Sequence, residues 1–293
     1  MTQIEVKLNP DVTPAGSDLS VVNAARRSFN TRSEWDQELV DHVSFHKVRN
    51  TLKPKDKRLL EFLARGMTAD DFDSFLHRCA SEGKHLYKEW GNKHEHQFLT
   101  KKLWQWRNTP THDTPFNHTF ISFEVQAPIF VRAQLVKHEY LIMSEFSRRY
   151  ITDDIKFYEP DVWRKAAENK KQGSSNKEVK DLVVEGHDRY LPEHLKETMG
   201  VKDAYDSVLN ESVVSLYKDM IHAGVAPEQA RMVLPQSTMT EWTWSGTLGA
   251  FAKMCTLRLH PEAQYEARVV ANKVYEYLKE YYPVGAKALV EGV

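Results

Sequence analysis

Cysteine and glycine are both scarce in this 293-residue chain. Two cysteines, Cys79 and Cys255, exclude a disulfide-built scaffold and a zinc cage made of thiolates alone, and they suit a reducing compartment. Twelve glycines leave no G-x-G-x-x-G and no G-x-x-x-x-G-K-[ST], so neither a Rossmann cradle nor a P-loop is present. A nucleotide bound here must be held by side chains. H-E-x-x-H and G-x-S-x-G are missing as well. Neither sign of charge dominates: 40 Lys and Arg face 41 Asp and Glu, a formal net charge of -1. A dedicated nucleic-acid binder would show a basic excess. No apolar run approaches the roughly 20 residues that cross a bilayer, and Met1-Thr2-Gln3-Ile4-Glu5-Val6 has no signal-peptide pattern. The expectation is a cytoplasmic protein without a membrane or nucleic-acid partner.

What is present is ample core material: 41% hydrophobic against 28% charged residues, a balance unlike that of disordered chains. Ile121, Phe123 and Val125 alternate with Ser122 and Glu124, the period of a half-buried strand, which Pro128 ends. Asp18-Leu19-Ser20 is placed to cap a helix over 21–26. Residues 55–64 and 70–90 show helical spacing of Leu, Phe and Tyr. Leu209, Val213, Leu216, Met220 and Ile221 also recur at helical spacing, with Gly224 as the C-cap and a further helix from about Pro227. Ala263, Ala267, Val270, Val274 and Leu278 mark the last helix, stopped by Pro283. Residues 165–182, rich in Lys, Asn, Gly and Ser, read as a flexible loop. No internal repeat is found. Strands and helices mix without a regular crossover pattern, which indicates α+β.

Residues 127–150, APIFVRAQLVKHEYLIMSEFSRRY, crowd Arg132, Gln134, Lys137, His138, Glu139, Glu145, Ser147, Arg148 and Arg149 beside that apolar strand. Partly buried charge needs partners or a ligand. Arg and Ser are natural donors to phosphate. A salt-bridged, solvated helix face fits the same pattern, and periodicity alone slightly favours that face over an anion site. Arg231, in Ala230-Arg231-Met232-Val233-Leu234-Pro235, and Arg258, in Leu257-Arg258-Leu259, both have apolar neighbours. One such arginine reads as a structural ion pair. Three guanidiniums, with Arg149, are hard to neutralise internally and favour an anion site. Gln264 and Glu266 open the last helix, where a carboxylate also suits the helix dipole. His77, Cys79, His85, His94 and His96 cluster, but their spacing matches no standard zinc finger, so no metal is expected. Cys255 reads as core. The aromatic residues at 242, 244, 265, 275, 277, 281 and 282 read as packing residues.

These same residues carry a resemblance. The segment H-x-T-P-F-x-H from His112 to His118, then A-P-I-F-V-x-x-Q, His138 and E-x-S-x-R-Y ending at Tyr150, resembles the signature region of flavin-dependent thymidylate synthases. A-R-x-V-L-P at 230–235, L-R at 257–258 and A-Q-x-E at 263–266 resemble that family's C-terminal half. The stretch 18–26 resembles its opening helix, and Phe157-Tyr158-x-Pro160, Trp163-Arg164 and Lys171-Gln172-Gly173-Ser174 fit a further segment. The matches run in order along most of the chain. They imply a single α+β domain over 1–293, with a central, mainly antiparallel sheet flanked by helices and helical insertions at about 65–107 and 175–205.

The resemblance further implies reductive methylation of dUMP to dTMP, with methylenetetrahydrofolate as carbon donor, NADPH as reductant and FAD as cofactor. It implies a homotetramer with sites at subunit interfaces. Carried over by position, Gln134, Glu145, Ser147, Arg149, Arg231 and Arg258 bind dUMP. Arg258 faces the uracil as the catalytic cation, stabilising negative charge at N3 and its adjoining carbonyl. Ser28, His112, Thr114, Lys137, His138, Glu139 and Thr247 fall at FAD-contacting positions. Neither cysteine sits in a segment suggesting the nucleophile that a flavin-free thymidylate synthase requires. The chain departs from the family signature at Lys137-His138-Glu139, where Arg-His-Arg is usual, at Asn117 for Glu and at Thr247 for Asn. Glu139 reverses a charge beside the expected flavin. The altered signature leaves two alternatives: a flavin-dependent C5 modification of another pyrimidine nucleotide, or a non-catalytic nucleotide-binding homologue.

Overall fold

In the computed structural model, residues 3–42, 45–66, 112–168, 174–184 and 197–291 are described, with Thr68, Ser74 and His77 besides. In chain order the elements are β1 (Glu5–Leu8), α1 (Asp18–Arg26), β2 (Asp36–His42), β3 (Phe45–Thr51), α2 (Pro54–Arg65), β4 (Ile121–Pro128), α3 (Ile129–Leu135) and β5 (Ile142–Glu145). Then come β6 (Arg164–Ala166), β7 (Ser174–Glu178), β8 (Asp181–Val184), β9 (Glu197–Gly200), α4 (Val201–Ser207), α5 (Val214–His222) and α6 (Pro227–Ala230). The chain finishes with β10 (Met239–Gly246), α7 (Leu248–Arg258), α8 (Tyr265–Tyr281) and α9 (Pro283–Val290).

The central sheet has the order β1-β4-β10-β5, with every neighbouring pair antiparallel. The expected α+β architecture is therefore the observed one. β4 is an inner strand, so Ile121, Phe123, Val125 and Ala127 are wholly buried. β10 pairs along all of β4, setting Trp242 opposite Val125 and Trp244 opposite Phe123. Phe251 of α7 meets Phe123 and Trp244 edge-on, with ring centroids 5.0 and 5.2 Å apart, and this fixes α7 on the sheet. Cys255, on the same helix, is buried, and burial pushes its thiol pKa far up. It is an inert core residue, as its neighbours implied.

Two helix starts differ from the sequence expectation. Ser17, not Asp18, caps α1, in a capping box with Ser20. Asp18 instead accepts the N–H groups of Val284 and Gly285 at 2.8 and 2.9 Å, at the start of α9. Burial raises its pKa to about 6 despite those two donors. Pro283 ends α8, as expected, but also begins α9, because a proline at the first turn needs no N–H partner. Arg65 of α2 donates to Ala288 O at 2.9 Å and to Leu289 O, closing the other end of α9. Asp56, fully buried, takes Arg26 and Ser33 as partners, joining α2 to α1.

Residues 165–182 differ from the expected loop: their described part forms strands, β6 pairing with β7 and β8 with β9. β7 keeps most of its side chains exposed, so it leaves no apolar period to read. The helix foreseen near 209–221 runs from α4 through a π-helical turn, Val208–Val213, into α5, and Gly224 at φ +85 follows it. The helix near Pro227 lasts one turn. Leu234 precedes Pro235 and is extended, which stops helix growth there. Of the expected helix over 70–90, all but Ser74 and His77 lies outside the described residues, as do Cys79, His85, His94 and His96. Among the described residues no helix is long and apolar enough to cross a membrane.

Candidate functional site

The segment running from α3 to residue 149 lines two cavities. Pro128 ends β4 and α3 begins at once, carrying Arg132 and Gln134. The chain then returns as β5, the sheet's edge strand beside β10. Glu145, at the end of β5, has both carboxylate oxygens engaged. Arg132 approaches Oε2 at 2.6 Å, and Thr240 Oγ1 donates to Oε1 at 2.9 Å.

The smaller cavity, about 340 Å³, lies between this segment and residues 231–240. It gathers Glu145, Ser147, Arg149 and Arg231, four of the six positions expected to bind nucleotide. Ser147 Oγ accepts from the backbone N and from Nε of Arg149, both at 3.3 Å. Arg231 Nε donates to Glu228 O at 3.3 Å. Neither Arg149 nor Arg231 has a carboxylate partner among the described residues. Arg148 also lines the cavity but is held by the carbonyls of Asp153 and Asp154 at 2.5 and 2.9 Å.

The larger cavity, about 930 Å³, holds the other two positions, Gln134 and Arg258. Phe130, Tyr158, Trp163 and Tyr205 give it aromatic walls. Trp163 Nε1 is buried without a hydrogen-bond partner among the described residues. Arg258, the last residue of α7, donates from Nε to His138 Nε2 and from Nη2 to Gln134 O, both at 2.9 Å. It has no carboxylate partner among the described residues, and burial lowers its pKa. The Gln134 amide donates to Gln264 Oε1, at the N-cap of α8.

Burial, and then the charge of Arg258, push the His138 pKa down to about 4. The ring is neutral at pH 7, with Nε2 accepting and the proton on Nδ1. Unfolded, the same histidine titrates near about 6.5. Its contribution to stability is thus complete above about pH 6.5 and is lost as pH falls from there toward 4, where the unfolded chain binds more protons. NMR titration of the imidazole is expected to give a midpoint near 4. A midpoint near 6.5 would contradict the buried, arginine-bonded ring.

The positions expected to meet flavin are not brought into one pocket. His138 lies with Arg258. Thr247 lies at the opposite end of α7, roughly 16 Å away for eleven residues at 1.5 Å each. The Thr247 hydroxyl donates to Asn117 Oδ1 at 2.7 Å and caps α7 by accepting from Ala250 N at 3.2 Å. His112 and Thr114 are exposed at the 3-10 turn Thr114–Asn117, which packs on α7 and α1. Ser28 is exposed in the turn after α1, and Lys137 and Glu139 are exposed beside His138. Asp113 and Lys253 pair at 3.1 Å near Thr247.

Gly249 allows this end of α7 to approach the turn: a Cβ there would sit 2.6 Å from Asn117 Oδ1. Gly249→Ala is expected to push the exposed Asn117 side chain aside and break its bond to Thr247, at a net cost under about 1 kcal/mol because alanine favours the helix. Thermal denaturation tests it; a larger loss would show that Asn117 does not move aside freely.

Sequence reading missed Tyr205 because it gives no signal on its helix. It missed Arg132 as the partner of Glu145 because that pairing is formed only by the sheet. Tyr158 and Trp163 did carry a signal, the F-Y-x-P stretch and the Trp163-Arg164 pair that follows it.

The sequence matches the family described as thymidylate synthase complementing protein over residues 12–284. It is 34% identical over 180 residues to the flavin-dependent thymidylate synthase of Thermus thermophilus, covering 61% of this chain and 60% of that protein. The flavin-dependent thymidylate synthase of Gluconobacter oxydans is 33% identical over 182 residues, 61% of this chain and 56% of that one. The matched stretch thus spans less than two thirds of these relatives' own length. Among solved structures, the UMP/dUMP methylase PolB from Streptomyces cacaoi, bound with 5-Br dUMP, aligns with a TM-score of 0.59. The alignment has 23% identity and covers 99% of this chain and 96% of that one, a likeness of fold.

Proposed function

The chain belongs to the thymidylate synthase complementing protein family, and from that premise we propose that it converts dUMP to dTMP by flavin-dependent reductive methylation. Methylenetetrahydrofolate is the carbon donor and NADPH the reductant. One observation carries the reading: Arg149, Arg231 and Arg258 line two cavities and none of them forms an ion pair among the described residues, although Glu145, itself held by Arg132, lines the first and Glu262 and Glu266 line the second. Guanidiniums left in this state fit an anionic ligand.

In this reading Ser147, Arg149 and Arg231 hold the phosphate. Glu145, fixed by Arg132 and Thr240, stands beside it. Gln134 and Arg258 meet the pyrimidine, and the guanidinium stabilises negative charge at N3 and its neighbouring carbonyl, so that C5 becomes nucleophilic. The aromatic walls of the larger cavity suit flat heterocycles. The division of one nucleotide's contacts between two cavities supports a homotetramer in which each site takes one cavity from each of two copies.

For FAD, the donor set fits in part. The side chains of His112, Thr114 and Lys137 are exposed and have no ion-pair or hydrogen-bond partner among the described residues, as an anionic cofactor requires. Thr247 has its proton engaged by Asn117, and Glu139 opposes an anion. Ser28 would border the cofactor from the turn after α1. Bound flavin supplies hydride transfer; the chain's part is to orient substrate and hold charge. Segments 65–107 and 175–205 are proposed as insertions in one domain, and the cytoplasm as its place.

The test is the visible spectrum of purified protein, its bleaching by NADPH, and re-oxidation on adding dUMP and methylenetetrahydrofolate. dUMP, UMP and dCMP are assayed in parallel and products identified by mass. A flavin spectrum with dTMP as product is expected. A colourless protein that takes up no FAD sinks the reading, and methylation of UMP or dCMP alone transfers it to another pyrimidine.

A further inference from the structure

Arg258 reaches the larger cavity from the end of α7, where nothing in its own helix fixes its guanidinium. Two acceptors from the preceding segment do so. Nε donates to His138 Nε2, and Nη2 donates to Gln134 O, each at 2.9 Å. A guanidinium has five N–H donors in one plane. Two are thereby held, one at Nε and one at Nη2, and three remain for a ligand. With the Gln134 carbonyl alone, the group would pivot about a single hydrogen bond. The second acceptor sets the plane. Only a neutral imidazole can serve, because a protonated ring has no lone pair and would place a second cation against the arginine. Lys137 and Glu139, which flank the histidine, are exposed and do not take part in this contact.

We propose that His138 is a positioning residue that fixes the plane of Arg258 for the pyrimidine. The assignment rests on the dUMP reading above. It gives His138 a task that reaches the substrate cavity through Arg258. The depressed imidazole pKa agrees with it.

The test uses the flavin-loaded protein with His138→Leu, which removes the acceptor, and His138→Gln, whose Oε1 restores one near the Nε2 position. His138→Leu is expected to lower kcat on dUMP by roughly 10- to 100-fold with KM for dUMP changed less than about 3-fold, the pattern of an interaction felt in the transition state. His138→Gln should recover most of that loss. In an Arg258→Lys background, adding His138→Leu should cost nothing further, because the residues act as one unit. Wild-type kcat in His138→Leu, no rescue by Gln, or a further tenfold loss in the double variant overturns the proposal. The contact is also read without turnover. The nitrogen-15 signal of Arg258 Nε in nucleotide-free holoprotein should shift in His138→Leu and stay near its wild-type position in His138→Gln. A wild-type protein inert toward dUMP would defeat the thymidylate reading, while an Arg258 signal unmoved by His138→Leu would defeat the positioning contact itself.

Discussion

Arg258→Ala is expected to abolish dTMP formation, by at least roughly 10³-fold, in a protein that still folds and still binds FAD. The size follows from the loss of a preorganised cation in a partly water-excluded cavity, aimed at charge that develops only in the transition state. Burial lowers the pKa of this guanidinium, but from so high a value that it stays protonated at working pH. Folding should survive because its partners are a side-chain nitrogen and one carbonyl, both beside a cavity that water can enter. FAD should survive because His112, Thr114 and Thr247 lie toward the other end of α7, and Lys137, though next to His138, is not a hydrogen-bond partner of Arg258. Arg258→Lys should fall between, keeping the charge and losing the planar fork. Product mass and the visible spectrum together decide. Wild-type turnover in Arg258→Ala removes the assigned role, and a colourless variant would mean that the arginine supports the flavin instead.

How far the sequence reaches depends on what kind of interaction holds each part. β4 was legible because it is buried on an inner strand and its apolar residues alternate. α8 was legible because one face packs on the core at a period of 3.6. α9 was not, since its two ends are fixed by Asp18 and Arg65, residues far away in sequence. β6 and β7 look like loop in the sequence because a ladder of backbone hydrogen bonds needs no apolar pattern. At the site, composition alone could not decide between a salt-bridged face and an anion site for residues 132–149. The structure shows the ion pair and leaves the anion site as the proposal. Arg132 and Glu145 form the ion pair, while Arg149 is left without a carboxylate partner among the described residues. The gathering of Ser147 with Arg231 was implied by the family pattern and by nothing in the local sequence, because it depends on β10 bringing residues 231–240 against β5.

The double variant Arg149→Ala, Arg231→Ala is expected to raise KM for dUMP by about 10²- to 10⁴-fold, from roughly 1.5–3 kcal/mol for each charged hydrogen bond lost and a tenfold change per 1.4 kcal/mol. The pocket should keep its shape, since Glu145 remains tied to Arg132 and Thr240. Deoxyuridine, which lacks the phosphate, serves as the control: wild type should prefer dUMP strongly, and the variant should treat the two nearly alike. An unchanged preference would mean that the phosphate lies elsewhere. The same variant also tests whether a site is shared between copies. Arg149 and Arg231 line one cavity, and Arg258 the other. If each site takes one cavity from each of two chains, the double variant and Arg258→Ala, each inactive alone at low dUMP, should complement when co-expressed. Random mixing in a symmetric oligomer then gives about a quarter of the sites both intact cavities, and activity should return in that proportion. No recovery in verified mixed oligomers would place all three arginines of a site on a single chain, and the two cavities would then have to be joined by movement of the segment between α3 and residue 149.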